Sequence, residues 1–184
     1  MNIVQIVSRK EKFMSKKIKV FYDYTCPFCY KGLKELGDIL PDYKTVEIEW
    51  SPCEAHPSPE PARGHSDLAA QVGFYLAENG LNIKKYNDLV YEAHFENQQR
   101  IDDIELLADL GEAAGAKRED IITLLNENRN AKKVEDSNIE VWQTLEIQAV
   151  PSYVYGDKMA ASGGGLLVPI SKVAELFKLA SKGE

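Results

Sequence analysis

The sequence predicts an α/β fold in which an all-helical subdomain is inserted between the two halves of a small sheet layer. Segments typical of strands, 18–24 and 45–50, flank a helix-like segment that begins at Pro27. Residues 66–147 then carry apolar side chains at helical spacing almost throughout. A short β-rich segment and a terminal helical segment, 168–180, follow this block. The predicted element order is therefore βαβ, a helical insertion, and ββα.

The first half is predicted to be a parallel βαβ unit. Ile18 to Tyr24 is an apolar, aromatic-rich run typical of a buried strand, and Pro27 to Leu40 has the spacing of an amphipathic helix. Thr45 to Trp50 alternates polar and apolar residues, which places its apolar residues from Val46 onward on the core side. Two strands joined by a helix lie parallel, with a right-handed crossover in nearly all cases.

A loop and five helices make up the predicted insertion. The Pro-, Ser- and Glu-rich stretch 52–64 marks its start, and Asn79-Gly80 and Gly115 break the helical pattern inside it. The residues expected to face inward are Leu68, Val72, Tyr75, Leu76, Tyr86, Leu89, Val90, Ala93, His94, Ile104, Leu107, Ala108, Leu110, Ile121, Leu124, Leu125, Val134, Asn138, Val141, Trp142 and Leu145. We expect an N-terminal extension, an α/β domain in two segments and a helical subdomain: 1–13, 14–64 with 148–184, and 65–147.

A β-hairpin and a helix form the predicted second half. Tyr153 to Tyr155 is β-rich, Gly156-Asp157 is typical of a hairpin turn, and Met159 to Ser162 can pair back antiparallel. Three glycines, 163–165, then break the chain before the terminal helix. The residues of that helix expected to face inward are Val173, Leu176, Phe177 and Ala180.

Composition argues against several kinds of partner. The 184 residues have a net charge of −7 and a pI near 5.1, which argues against nucleic acid and against an anionic membrane surface. No stretch is long and apolar enough to span a bilayer. The run Ile3 to Val7 is too short for a signal-peptide core and precedes the basic Arg9 and Lys10, so we expect a cytoplasmic protein. We also expect a monomer or a weak homo-oligomer.

Cys26-Pro27-Phe28-Cys29 is the stretch that points most directly to chemistry. It lies where a strand gives way to a helix, and the free N–H groups of a first helical turn stabilise a thiolate. The thiolate is the attacking species, and cysteines in such places have pKa values between about 3.5 and 7.5 instead of about 8.5. Pro27 suits the first helical position. Neither Pro27 nor Phe28 offers a charge that would make Cys26 extremely acidic. Three cysteines in a cytoplasmic chain indicate catalysis, redox sensing or metal binding instead of a disulfide framework.

This layout resembles the thioredoxin fold, and the helical insertion resembles the DsbA-like thiol:disulfide oxidoreductase family. The resemblance covers the chain from Met14 onward and is carried by Asp23-Tyr24-Thr25-Cys26-Pro27-Phe28-Cys29 and by Val150-Pro151-Ser152. Three further features are most similar to the cytoplasmic FrnE-like branch of that family: the acidic residue at the strand end, Glu49-Trp50 with the His56-Pro57 loop, and the segment 95–115.

The resemblance implies thiol–disulfide exchange without a cofactor or a metal. Cys26 would form a mixed disulfide with the substrate, and Cys29 would resolve it. Pro151 would be a cis-proline beside the first helix, although a trans-proline that ends the preceding helix is the open alternative. The expected substrate-binding residues are Pro27, Phe28, Val150 and Pro151. The expected partners are protein or small-molecule thiols and disulfides, with glutathione as a candidate. The direction of exchange is open, since potentials in this fold range from about −270 to about −120 mV.

Two other functions stay open on the sequence alone. Cys53 and His56 could join Cys26 and Cys29 in a Cys₃His zinc site of an interaction module. Otherwise Cys53 is a small apolar side chain, a free thiol or a third redox cysteine. Kappa-class glutathione transferases and hydroxychromene-carboxylate isomerases also resemble this fold, but they usually carry Ser where Cys26 stands.

Three other titratable residues have two interpretations each. Asp23, at the strand end, could relay protons to Cys29, or it could be a solvated or turn-capping side chain. His65 and His94 are single histidines on a loop and on a helix face, and we expect both to be structural.

Overall fold

The sheet of this protein is a parallel strand pair extended by an antiparallel hairpin. The computed structural model describes residues 16–60, 64–163 and 167–183. Within these residues the chain forms four strands, β1 to β4: Lys17–Tyr22, Glu47–Pro52, Ser152–Tyr155 and Lys158–Ala160. They lie in the order β2-β1-β3-β4. β1 pairs parallel with β2 and antiparallel with β3, and β3 pairs antiparallel with β4, which confirms the predicted topology.

Helices lie between the strands and after the last strand in the chain. The described residues contain seven α-helices, α1 to α7: Pro27–Ile39, Asp67–Glu78, Ile83–Tyr91, Ile104–Ala113, Arg118–Asn126, Ala131–Ile139 and Ile170–Lys182. A 3₁₀ turn, Leu40–Tyr43, follows α1. Helices α2 to α6 lie between β2 and β3 in the chain, so the predicted α/β fold with a helical insertion is confirmed.

Some of the predicted boundaries are not tested. The division into 14–64 with 148–184 and 65–147 stays a prediction. The N-terminal extension, 1–13, and the glycine break at Gly164 and Gly165 lie outside the described residues.

The terminal helix α7 covers the sheet as its sequence pattern predicts. It contacts β1, β3, β4 and α1. The predicted inward-facing residues Val173, Leu176, Phe177 and Ala180 are all buried. The ring of Phe177 also contacts that of Tyr43, with ring centres 5.6 Å apart.

Local side chains set several helix ends. The side chain of Asn82 accepts a hydrogen bond from the Lys85 N–H at the start of α3. Asp103 caps α4 by accepting from two N–H groups in its first turn. The predicted breaks at Gly80 and Gly115 have φ angles of +64° and +104°, which glycine adopts without steric cost.

Most residues predicted to face inward in the helical insertion are buried. Those that are only partly buried are Leu68, Tyr75, Leu89, His94, Ile104, Leu110, Asn138, Trp142 and Leu145. Two of them, Asn138 and Trp142, make polar contacts at the candidate site described below.

The prediction of the first strand's end is wrong by two residues. β1 ends at Tyr22, and Tyr24 is fully buried in the turn that follows. The Asp23 carboxylate accepts a hydrogen bond from the Thr25 N–H at 2.8 Å and so turns the chain. The Tyr24 hydroxyl donates to Asn87 Oδ1 at 2.6 Å. The strand predicted over 45–50 is also displaced by two residues, to Glu47–Pro52.

Two predicted helices change their winding before they end. α3 continues into a π-helical segment, Glu92–Glu96, and α6 into another, Glu140–Thr144. Each is followed by a non-glycine residue with positive φ, Gln98 at 54° and Glu146 at 50°. π-Helical turns are frequent at functional sites. Here, Tyr91 at the end of α3 contacts the turn before Cys26, and Trp142 in the segment after α6 contacts the residue that follows Cys53.

In the part of the chain that the structure describes, no helix is both long enough and apolar enough to cross a membrane.

Candidate active site

Cys26 lies at the junction between sheet and helix, as predicted. It is the N-cap residue of α1, with extended backbone angles of φ −91° and ψ 117°, and Pro27 occupies the first turn. The Cys26 N–H donates to the Asp23 carbonyl at 3.1 Å, which closes the turn before the helix. Cys26 is partly buried, whereas Cys29 and Cys53 are buried.

The surroundings of Cys26 favour its thiolate. The Cys29 thiol hydrogen-bonds to the Cys26 sulfur, and the N–H groups of Cys29 and Phe28 point to it as well. Together they lower the pKa of Cys26 from 9.0 to about 7, although partial burial and the negative Asp23 oppose the change. The expectation that Cys26 is activated without being extremely acidic agrees with this value.

Cys29 lies one turn deeper and has the opposite character. It is fully buried, and loss of hydration raises its pKa well above the ordinary value. The Asp23 N–H donates to Cys29 Sγ at 3.4 Å. The two sulfurs therefore differ in access and in acidity.

The segment before β3 meets α1 beside Cys26. The Cys26 thiol donates to the Val150 carbonyl oxygen at 3.6 Å. The Val150–Pro151 peptide bond is cis. Pro151 is buried against Gly32 of α1, where an added Cβ would lie 2.6 Å from Pro151 Cγ. Glycine at position 32 therefore allows the two segments to approach this closely.

Asp23 is a buried, hydrogen-bonded carboxylate. Only 1% of the residue is exposed, so the interpretation as a solvated side chain is wrong. Its Oδ1 accepts from the Thr25 N–H and hydroxyl, and its Oδ2 accepts from the Ala55 N–H at 2.7 Å. The turn-capping interpretation is confirmed, and the proton-relay role stays a prediction.

A groove lies alongside Cys26. It has a volume of about 570 Å³. The lining residues are Cys26, Phe28, Glu54, Ala55, His56, Pro57, Glu60, Trp142, Gln148, Ala149 and Val150. Two predicted substrate-binding residues, Phe28 and Val150, thus face the same groove as Cys26. Phe28 is 42% exposed and so presents apolar surface to solvent beside Cys26. Pro27 is exposed at the helix start, and Pro151 packs on Gly32.

The residues proposed for zinc do not form a ligand set. Cys53 is fully buried, whereas the side chain of His56 is 68% exposed and contacts Glu60. Among the described residues, no three His, Cys, Asp or Glu side chains are grouped so that they could hold a metal ion. Burial also raises the pKa of the Cys53 thiol well above its ordinary value. The geometry therefore does not support the zinc alternative.

The two other histidines lie outside the groove. Nδ1 of His65 is 3.2 Å from the carbonyl oxygen of His56. The ring of His94 packs edge-on against Phe95, with ring centres 4.7 Å apart.

Sequence reasoning missed several contacts that build the site. The Tyr91 hydroxyl donates to the Asp23 carbonyl at 3.2 Å, so the insertion supports the turn before Cys26. Trp142 Nε1 donates to the Glu54 carbonyl at 2.8 Å, and Asn138 bonds both the N–H and the carboxylate of Glu54. An available signal was Asn138, a polar residue in an otherwise apolar helical stripe, because buried amides have partners.

A dithiol at the first helix start of a βαβ-ββα sheet, with helices inserted between the halves, defines a protein of the thioredoxin-fold class. The Cys26 environment and the adjoining cis-proline segment complete this description. The chain belongs to the family of DSBA-like thioredoxin domains, which it matches over residues 17–166.

The chain is also similar to individual known proteins. The chain is 28% identical over 188 residues to the uncharacterized protein YwbO of Bacillus subtilis (strain 168), with 83% of this chain and 92% of YwbO covered. A solved structure of a probable DsbA oxidoreductase from Streptomyces coelicolor matches with a TM-score of 0.75 at 16% identity, covering 91% of each chain. Oxidised BdbD from Bacillus subtilis matches with a TM-score of 0.66 at 20% identity, covering 91% of this chain and 89% of BdbD. These structural likenesses concern the fold.

Proposed function

We propose that this protein is a thiol:disulfide oxidoreductase that works through Cys26 and Cys29. The observation that carries the proposal is the contrast between the two thiols. Cys26 is accessible and has a pKa of about 7, whereas Cys29, one turn deeper, is fully buried and has a raised pKa. An attacking thiol works best with a pKa near ambient pH.

The reaction proceeds in two exchanges. The Cys26 thiolate attacks one sulfur of a substrate disulfide, so a mixed disulfide forms and the other substrate sulfur leaves as a thiolate. Cys29 then loses its proton and attacks Cys26 Sγ, which releases the second substrate thiolate and leaves a Cys26–Cys29 disulfide. Two electrons pass from the protein dithiol to the substrate, and the reverse sequence oxidises a substrate dithiol. The Asp23 N–H, 3.4 Å from Cys29 Sγ, stabilises the Cys29 thiolate while it exists.

Substrate binding is proposed for Pro27, Phe28, Val150 and Pro151. Phe28 offers an exposed apolar surface next to Cys26. Cys26 Sγ lies 3.6 Å from the Val150 carbonyl oxygen, so a substrate bonded to this sulfur would lie along the backbone before β3. An extended polypeptide can form main-chain hydrogen bonds to such a segment.

The pKa of Cys26 supports a low reduction potential, with which the protein would reduce substrate disulfides more readily than it would form them. Strong oxidants of this fold have an attacking cysteine with a pKa near 3.5, whereas reducing members have one near 7. A value of about 7 stabilises the reduced form much less than a strong oxidant requires. We therefore expect a potential closer to about −270 mV than to about −120 mV. Equilibration with glutathione, followed by the fluorescence of Trp142 in the groove, measures it.

Single-turnover assays with the two cysteine variants test the function. Reduced wild-type protein should convert a model peptide disulfide to thiols and accumulate the Cys26–Cys29 disulfide. Cys29→Ala should stop at a mixed disulfide visible by mass spectrometry, and Cys26→Ala should form none. Activity on the peptide that survives Cys26→Ala would overturn the proposal.

A Cys26→Ser variant tests the kappa-class alternative, which has a similar fold and a different chemistry. Glutathione-dependent isomerisation that survives Cys26→Ser would instead support the kappa-class alternative. The FrnE-like branch and the cytoplasmic location are further parts of the proposal, and cell fractionation tests the location.

A further inference from the structure

The groove beside Cys26 has an acidic side and an apolar side. Glu54 and Glu60 contribute carboxylates, and the described residues that line the groove include no Lys or Arg. Phe28, Pro57 and Trp142 contribute apolar surface. Its volume of about 570 Å³ is in the range of specific ligand sites, which is about 300 to 1,000 Å³.

Glu54 is held rigidly in the wall of this groove. The residue is 7% exposed. Asn138 Nδ2 donates to its carboxylate at 3.1 Å, Asn138 Oδ1 accepts from its N–H at 2.7 Å, and Trp142 Nε1 donates to its carbonyl at 2.8 Å. These bonds come from α6 and the π-helical segment after it, so both the backbone and the carboxylate of Glu54 are bonded to the helical insertion.

The Glu54 carboxylate is hydrogen-bonded to a neutral amide, that of Asn138, and has no Lys or Arg partner among the described residues. No Lys or Arg among the described residues lies within 4.0 Å of it, since it forms none of the ion pairs found there. Burial raises the pKa of its carboxyl above the ordinary value, and the negative Asp67 and Asp23 add to this effect, whereas the hydrogen bond from Asn138 and the nearby His65 act against it. A cation that enters the groove would therefore offset an unfavourable term that the free protein carries.

Glu60 extends the acidic side to the rim. Its Oε2 lies 3.1 Å from His56 Nδ1, and both side chains are largely exposed. A Lys or Arg side chain could lay its aliphatic stem on the apolar surface of Trp142 and Pro57 while its charged end meets these carboxylates.

We propose that this groove selects polypeptide substrates in which a Lys or Arg side chain lies close to the reacting cysteine. The inference rests on the proposed function, since it assigns a substrate class to the same dithiol. It makes glutathione a poor substrate, because that tripeptide carries a net negative charge and brings its own carboxylates to the acidic side. The net charge of −7 on the whole chain acts in the same direction at long range.

Three peptides that differ only in charge test the proposal. Each is a capped pentapeptide with a central cysteine, blocked as a disulfide with mercaptoethanol and flanked on both sides by Lys, Gln or Glu. The second-order rate constant for oxidation of the reduced protein is measured by acid quench and mass spectrometry. At low ionic strength, we expect the Lys peptide to react on the order of 10-fold faster than the Glu peptide, with the Gln peptide between them.

Two variants of equal charge separate the groove from the overall field. In Glu54→Gln the ratio of Lys to Glu peptide rates should fall to about 3-fold or less, because Gln keeps the bond from Asn138 without the charge. Glu112→Gln on the exposed surface of α4 removes the same charge from a residue that does not line the groove, and it should leave the wild-type ratio. About 1 M salt, where the Debye length is about 3 Å, should reduce the ratio in every variant.

The outcomes distinguish the inference from the function on which it rests. Equal rates for the three peptides in the wild type would refute the selection of cationic substrates while leaving thiol–disulfide exchange intact. An equal loss of selectivity in Glu112→Gln and Glu54→Gln would assign the effect to overall charge. It would also refute the role of the groove in selecting cationic substrates. If none of the peptides oxidised the protein, even over hours, the proposed function itself would be wrong.

Discussion

Replacing Cys29 with alanine tests what makes the Cys26 thiol acidic. Three groups lower the pKa of Cys26 from 9.0 to about 7, and the Cys29 thiol has the largest effect of the three. Because burial and Asp23 oppose them, the largest effect accounts for at least a third of the difference. Cys29→Ala should therefore raise the pKa of Cys26 by roughly 0.7 or more, which makes the thiolate population at pH 6 smaller by a factor of at least about five.

The rate of alkylation as a function of pH measures this pKa directly. Iodoacetamide reacts with the thiolate, so the wild-type rate should rise as pH increases through about 7 and level off above it. Cys29→Ser is the matched control, since its hydroxyl donates a hydrogen bond and its rate should level off at a lower pH than that of Cys29→Ala. Peptide mass mapping confirms that Cys26, and not the buried Cys53, carries the label.

One result would refute the reasoning. If Cys29→Ala and Cys29→Ser titrated at the same pH as each other and near 7, the backbone N–H groups at the helix start would account for the acidity alone. The contrast between the two thiols would then reflect burial of Cys29 without a direct effect on Cys26.

Two further predictions concern stability, measured by urea unfolding. Gly32→Ala should destabilise the fold by about 1 to 2 kcal/mol, because its Cβ would lie 2.6 Å from Pro151 Cγ and this overpacking exceeds the gain in helix propensity. In the same helix, Gly37→Ala meets only the flexible stem of a lysine and should stabilise by up to about 1 kcal/mol; equal effects of the two changes would contradict the close approach. Asn87→Ala should cost about 2 to 4 kcal/mol, because Asn87 Oδ1 accepts from two buried tyrosine hydroxyls at 2.6 and 3.3 Å. The exposed Asn126→Ala should change stability by less than about 0.5 kcal/mol, and a similar small effect of Asn87→Ala would show that the tyrosines find other partners.

The parts of the fold that could be predicted are those with local causes. The apolar spacing of α7 identified its buried face, because a helix exposes or buries side chains with a fixed period. The break at Gly80 followed from the conformational freedom of glycine. Cys26 and Pro27 were placed correctly at a helix start because capping depends on a few adjacent residues.

The parts that could not be predicted depend on distant residues or on changes of winding. Periodicity indicates that Asn138 and Trp142 share a helical face, but it does not indicate that they meet Glu54, which lies 84 and 88 residues away in the chain. The change from α to π winding after α6 also leaves the apolar pattern nearly unaltered. Asp23 could be interpreted as solvated because the sequence does not show which neighbours cover a turn.

The sequence by itself determined where the Cys26 sulfur lies and which backbone groups surround it. Cys26, Pro27 and Cys29 are neighbours in the chain, so the helix start supplies the same N–H groups wherever the helix packs. The tertiary structure decided how accessible each sulfur is and what a substrate meets there. Burial of Cys29, the carbonyl oxygen of Val150 and the carboxylate of Glu54 all come from long-range packing, which composition and spacing do not encode.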